Sequence, residues 1–571
     1  MQIANSFPKG AFPPRGGNAS DVASQMQQQR ERHKSISVQR TVELWWYRVF
    51  LIVLASLVAA IAGMIVAAIG QTNPGQVALK CIIIAAGITG AFILIFLSIR
   101  RLELGLFLTA IITTVFMPEL FAVKSLAVYP VVPFLLVLFV AALVQVAFHV
   151  RERILPSFWA IWPQLGLIVI AIISTIVVQV TWTASVPHKI NSTPIIYDEL
   201  LGVGLCFIPL IAITFTTMAL TKKDRYIEYI QRAFLILAFI AAATVVIEFK
   251  RIGATVYTFR YSEPTIFWMK LKDLAQLINL GVMIAYARLL YATRWRTRIF
   301  YIGYIAVGLA GVYFTLENSW WLEIGIALLV MTIVYSRRLI MFFFVCALPL
   351  IPVIKAELDK ISTVKTADYY RLIIWRDALR VWSKQPFLGV GPGDFWAYDQ
   401  RFTQLPQTLR DFAKTGLGVA HNGYLQVLSE MGPIGLFFWI SMIVVIAVVA
   451  AKLFRRSKTP MKRSKGFFGL IGLHLAAESE NRENRMLGLV GLGLIIGSAV
   501  ADFFSGGFLL PARQIDSFQW IPHTLTSWIF WGLVIYKDQL WRMARKTLRF
   551  DRQETSSWNN AVDYSLKGSA N

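Results

Sequence analysis

Of the six histidines in the 571-residue sequence, His421 stands in the setting where an imidazole could do chemistry. It opens the segment His421-Asn422-Gly423-Tyr424, inside a hydrophilic stretch covering residues 355–432. A neutral imidazole with a pKa near 6.5 can take the proton of a hydroxyl at neutral pH; it can equally cap or pack beneath the helix that follows it. Upstream, Arg371 recurs at helical spacing with Trp375 and Trp382, and a guanidinium held among indoles calls for an anionic partner. That partner is either a structural carboxylate or a phosphate gripped in bidentate fashion. Arg260 is a further candidate phosphate ligand. Arg376, Arg380 and Lys384 form a separate stripe, read as a solvated or headgroup-facing surface.

Other chemistries find less support. The glycines at 389, 391 and 393 lack the preceding strand of a dinucleotide fingerprint, although a turn there, with Gly391 at its centre, would let backbone N–H groups approach an anion. No HExxH or DxD pattern occurs in the loops that fall on the same side of the membrane, so no metal ligand set and no cofactor is expected. Cys81, Cys206 and Cys346 lie in or beside apolar runs without paired spacing, and read as small core residues.

Two helices must position these groups. Residues 368–384 show helical spacing and stop before Pro386. A second helix is predicted to start near His421, with Tyr424, Leu425 and Leu428 on an apolar side and Asn422, Gln426 and Glu430 along a polar stripe. Gly432 and Pro433 break it.

The rest of the chain is apolar. Hydrophobic residues make up 56% and charged residues 15% of the sequence, with a mean hydropathy of +0.59, whereas soluble domains carry about 25% charged residues. The apolar residues come in blocks of about 20, long enough to cross a bilayer as helices. The expected fold is therefore all-α, a polytopic transmembrane bundle of about 14 spans. Residues 49–354 hold spans one to eleven, and 433–540 hold spans twelve to fourteen around a linker at 452–486. Residues 1–48 and 541–571 read as basic tails, the first without an early apolar core of the signal-peptide kind.

The formal charge of +24 could suggest nucleic acid. Its arginines and lysines cluster instead in alternate links between the apolar blocks, which is the positive-inside pattern. It predicts cytoplasmic termini, contact with anionic lipids and no nucleic-acid partner. The same parity places 355–432 outside, between spans eleven and twelve. Glu248, Glu317, Glu323 and Asp502 are the main acids of the spans, and most are expected near span ends, within reach of water.

Arg371-Leu-Ile-Ile-Trp375, then Ala378, Pro386, Gly389, Gly391, Gly393 and Phe395, followed by Ala420-His421-Asn422-Gly423-Tyr424-Leu425 and Glu430-Met431-Gly432-Pro433-Ile434-Gly435, resemble the signature of the O-antigen ligase and polymerase superfamily. The most specific element is His421-Asn422, nine residues, then Gly432. The resemblance implies a bacterial inner-membrane glycosyltransferase of cell-envelope polysaccharide biosynthesis. Such an enzyme moves a glycan from a polyprenyl (undecaprenyl) pyrophosphate carrier to a hydroxyl of a glycan, lipid or protein, without metal. By the same resemblance His421 is the base, Arg371 holds pyrophosphate, and Asn422 supports the histidine segment, with Tyr424, Glu430, Gly432, Trp375 and Gly391 as motif positions. Many members carry Ser-Arg-Gly where this chain has Thr315-Leu-Glu-Asn-Ser-Trp-Trp321, so Asn318 stands in the arginine's place. That departure leaves Arg260 as a substitute ligand. It also keeps a non-catalytic assembly protein of the same fold in view, beside a polysaccharide transporter or flippase.

Overall fold

The computed structural model describes residues 95–115, 121–123, 126–128, 131–147, 154–181, 189–190, 193–221, 224–251, 265–266, 269–270, 274–315, 318–336, 338–341, 366–395, 419–456, 461–463, 474–476, 479–504 and 524–543. The chain divides into two compact units: residues 1–100 with 140–153, and residues 101–139 with 154–571. In the described part of the first, Gln145 Nε2 donates to the carbonyl of Ile99 at 2.9 Å.

Helices dominate the second unit. In chain order they are α1 (Leu102–Val115), α2 (Val131–Ala147, which begins in this unit), α3 (Phe158–Thr181), α4 (Ile195–Ala219), α5 (Arg225–Arg251), α6 (Ala275–Tyr291), α7 (Trp295–Phe314), α8 (Asn318–Tyr335), α9 (Thr366–Lys384), α10 (Gly423–Arg456), α11 (Ser479–Phe504) and α12 (524–543). The strands in the described links are antiparallel pairs of two or three residues, such as Phe121–Val123 with Leu126–Val128, and they build no layer. Among the described residues six helices are long and apolar enough to cross a membrane, within α3, α4, α5, α7, α10 and α11, and α6 and α8 are shorter apolar helices. The expected span at 49–69, and most of those at 81–98 and 338–354, fall outside the described residues. Helix α5 outruns its expected span of 233–249, because Arg225 and Glu228 at one end and Lys250 and Arg251 at the other carry it beyond the apolar segment.

Small residues let these helices approach one another, as close packing in lipid requires. A Cβ added at Gly281 or Gly311 would strike Ala238 or Ala242 of α5, at 2.3 and 2.8 Å. Helix α11 is enclosed by neighbours through four glycines: Gly488 lies against α10, Gly491 against α12, and Gly493 and Gly497 against α8. Outward-facing Ile176, Val180, Ile236 and Phe300 are more than half exposed, as a lipid-facing surface demands.

Glu323 departs from expectation. It is fully buried between α6, α8 and α11, with Asn279 Nδ2 donating to one carboxyl oxygen at 2.7 Å and Ser498 Oγ to the other at 2.6 Å. Its two donors come from stretches of sequence far from it and from each other, so hydropathy alone placed it nearer water. At the opposite end of the bundle from residues 421–423, Lys537 pairs with Asp224 at 2.8 Å, and Asp538 pairs with Arg456 at 2.8 Å and Arg542 at 2.7 Å. These contacts tie α12 to the ends of α5 and α10.

Candidate functional site

Helix α9 places Arg371. It starts at Thr366, slightly before the expected start at 368, and ends at Lys384 ahead of Pro386. The face it buries is Ile373, Ile374, Asp377, Ala378 and Val381. Arg371, Trp375 and Trp382 flank that face and remain partly exposed, so the indole side is a margin of the packing and not its centre. In the basic stripe Arg376 and Lys384 are exposed, while Arg380 pairs with the buried Asp377 at 3.0 Å.

The glycine turn after α9 docks on a break in α10. Gly432 has φ 67° and ψ −173° inside α10, and Pro433 has no N–H with which to close the helical bond to Ser429. The chain supplies the missing donors from elsewhere. Val390 N–H donates to Ser429 O at 2.9 Å and Gly391 N–H to Glu430 O at 3.0 Å. Ser174 Oγ of α3 lies 2.7 Å from Leu388 O and 3.2 Å from Glu430 O, donating into the same junction. The two backbones touch: a Cβ at Gly389 would sit 2.3 Å from Glu430 C, and one at Gly432 would sit 2.1 Å from Phe387 O. The N–H groups of Val390 and Gly391 are thereby spent on α10, which corrects the expectation that this turn offers them to an anion. Gly391, at φ 107°, instead packs beside the buried carboxylates of Asp394 and Glu199.

His421 sits at the start of α10. Its φ of +47° is the left-handed conformation that non-glycine residues seldom adopt, and it turns the chain into the helix. The helix begins at Gly423, not at His421, because Asn422 is the cap: its Oδ1 accepts from Leu425 N–H at 3.0 Å. Behind the histidine, Ala420 N–H donates to Gln426 Oε1 at 2.7 Å, and Gln426 Nε2 donates to Glu430. The stripe Asn422, Gln426 and Glu430 is buried, together with Ser429, whereas Tyr424, Leu425 and Leu428 are only partly covered. The polar stripe is thus the buried side of this turn, a facing that the residue pattern alone leaves open. The interior here is protein rich in backbone acceptors, and the outer side of this turn is apolar.

Helix α11 completes the surroundings. Tyr424 OH donates to Ala499 O at 2.9 Å, and Phe503 lies edge-on to Trp375 with ring centres 5.5 Å apart. Asp502 is buried against Gly423, where a Cβ would lie 2.1 Å from its Oδ2. A carboxylate at that point faces the positive end of α10.

Burial, and then the charge of Arg371, push the His421 imidazole down from 6.5 to about 4. The two predicted residues therefore stand close enough for one to act electrostatically on the other, and His421 is neutral at pH 7. Because the folded pKa is depressed, His421 contributes stability that is complete above its unfolded value of 6.5 and is lost as pH falls toward about 4. Replacing Arg371 with methionine is expected to raise the His421 pKa. Histidine NMR in detergent checks this, and an unmoved titration would mean that the guanidinium field does not reach the ring.

The structure thus brings together His421, Arg371, Asn422, Tyr424, Glu430, Gly432, Trp375 and Gly391. Arg260 lies outside the described residues. Asn318 begins α8. Sequence reasoning missed Ser174 and the role of Asp502. Ser174 is 214 residues from the carbonyl it bonds, and no local pattern marks it. Asp502 was visible only as an acid near the end of an apolar run. Among the described residues no cluster of three or more histidine, cysteine, aspartate or glutamate side chains is placed to hold a metal ion.

Residues 274–440 match the family described as O-antigen ligase. No curated protein matches the chain. The matched segment runs from α6 through α9 and the glycine turn into α10, so it contains both Arg371 and His421.

Proposed function

We propose, from the place that residues 274–440 give this multi-pass helical membrane protein within the O-antigen ligase and polymerase superfamily, that it transfers a glycan from a polyprenyl (undecaprenyl) pyrophosphate carrier to an acceptor hydroxyl. The observation that carries this reading is the neutral His421 imidazole held within the field of Arg371. One group accepts a proton and the other holds an anion, and glycosyl transfer from pyrophosphate needs both.

His421 takes the proton of the acceptor O–H. The acceptor oxygen forms a bond to the anomeric carbon, and the bond from that carbon to the pyrophosphate oxygen breaks with its electron pair going to the leaving pyrophosphate. Arg371 stabilises the charge that develops there, with Arg260 as the proposed second ligand. The proton then passes from His421 to water or to the released pyrophosphate. An arginine clamp supplies the charge stabilisation that a divalent ion provides in other transferases, so the reaction is proposed to run without metal.

A base with a pKa of about 4 is weak. Donor binding relieves the smaller of the two causes, since the pyrophosphate charge offsets the guanidinium field and lets the His421 pKa rise part of the way. The proposed setting is the outer face of a bacterial inner membrane, with both termini cytoplasmic and anionic lipids around the basic ends.

The test is transfer by the purified protein in liposomes given a polyprenyl-pyrophosphate-linked glycan and a hydroxyl acceptor. Expected are a glycosylated acceptor and free polyprenyl pyrophosphate, in equal amounts and unaffected by chelator. Intact donor moved across the bilayer without bond cleavage would instead make the protein a flippase, and neither outcome would leave an assembly role.

A further inference from the structure

Trp375 holds, beside the site, a hydrogen-bond donor with no acceptor among the described residues. Its indole Nε1 is buried and has no partner among the described residues. The other indole of the same helix, Trp382, donates to Pro386 O at 3.0 Å, so α9 can satisfy an indole where its role is only packing. Trp439 and Trp531 also have indoles without a partner among the described residues, but both are fully buried within α10 and α12, whereas Trp375 is partly exposed. Trp375 follows Arg371 by four residues, which on a helix puts the two side chains on one face, about 5–6 Å apart at Cβ. On its other side Phe503 covers the ring, with centres 5.5 Å apart and planes at 69°, and Phe503 in turn leans on Tyr424 at 6.2 Å. Phe503 is 44% exposed and its ring also meets Phe504, with centres 5.2 Å apart, so it is the exposed side chain that an entering group would displace.

A pyrophosphate held by Arg371 and a hydroxyl activated by His421 define the ends of the reacting unit. The sugar joined to the pyrophosphate must lie between them. An indole meets both needs of a sugar ring, since its flat face accepts the ring's C–H side and its N–H donates to an oxygen. We propose that Trp375 is a specificity residue for the carrier-linked sugar, its indole N–H donating to a sugar oxygen once Phe503 moves aside. This rests on the transfer reading above.

The experiment compares wild-type protein with Trp375→Phe and Trp382→Phe. Binding is measured to two ligands, the polyprenyl-pyrophosphate-linked glycan and bare polyprenyl pyrophosphate. Trp375→Phe keeps an aromatic ring and loses the N–H together with the five-membered ring that bears it. It is expected to weaken glycan-linked donor binding about tenfold, the size of a lost hydrogen bond in a desolvated site, while the bare carrier binds as before. Trp382→Phe is expected to leave the ratio of the two affinities unchanged. If Trp375→Phe leaves both affinities at wild type, or lowers both equally, the sugar-contact role is wrong while the transfer reading stands. If wild-type protein distinguishes neither ligand and transfers nothing, the transfer reading falls and this one with it.

Discussion

Replacing His421 with alanine is expected to lower transfer by about 10²–10⁴-fold while donor binding persists, because a positioned base contributes that much and Arg371 remains in place. The substitution also alters a backbone at φ +47°, so alanine alone confounds lost chemistry with lost geometry. Asparagine separates the two. It tolerates the left-handed region better than alanine and cannot serve as a base. His421→Asn should keep the melting temperature near wild type and be as inactive as His421→Ala. Transfer by His421→Asn at the wild-type rate would remove the histidine from the chemistry and leave it a role in turning the chain into α10. The acid-side loss of rate should also differ between free and donor-bound protein. The pKa seen in kcat should lie above that seen in kcat/KM, since the bound pyrophosphate offsets the Arg371 charge.

Gly432→Ala is expected to be the most destabilising small substitution in the site. At φ 67° and ψ −173° the residue occupies a region essentially restricted to glycine, and the new methyl would lie 2.1 Å from Phe387 O. Backbone on both sides leaves no flexible side chain to yield. The junction carries the bonds from Val390 and Gly391 to Ser429 and Glu430, so its opening releases the glycine turn from α10. A loss of more than about 3 kcal/mol follows, of the size reserved for strain and buried polar groups left unpaired. Gly303→Ala is the control, since an added Cβ there meets nothing within 4 Å and alanine favours the helix. Thermal unfolding in detergent should separate them clearly, and equal melting temperatures would show that the junction carries little of the fold.

The sequence revealed where the helices lie better than which way they face. Pro386 and the spacing from 368 to 384 located α9 to within two residues at its start, and Gly432-Pro433 marked the break in α10. Those signals are local and covalent in origin. The spacing of Asn422, Gln426 and Glu430 marks a polar stripe but not whether that stripe faces water or protein. In the structure these side chains are buried, with Gln426 accepting from the Ala420 N–H, while the glycine turn, distant in sequence, bonds the backbone carbonyls of Ser429 and Glu430. Glu323 escaped for the same reason, its partners Asn279 and Ser498 lying 44 and 175 residues away. The pairing of His421 with Arg371 followed from residue types and a resemblance, and the structure adds the electrostatic contact between them.

The central claim is that His421 and Arg371 serve one donor at one site. A double-mutant cycle on the transfer rate tests it, using wild type, His421→Asn, Arg371→Met and the double variant with purified lipid-linked glycan. Residues that act as a unit give losses far from additive, so the double variant should be scarcely slower than the slower single variant. Losses that multiply, or a single variant as fast as wild type, would place the two residues in separate roles and contradict the shared site.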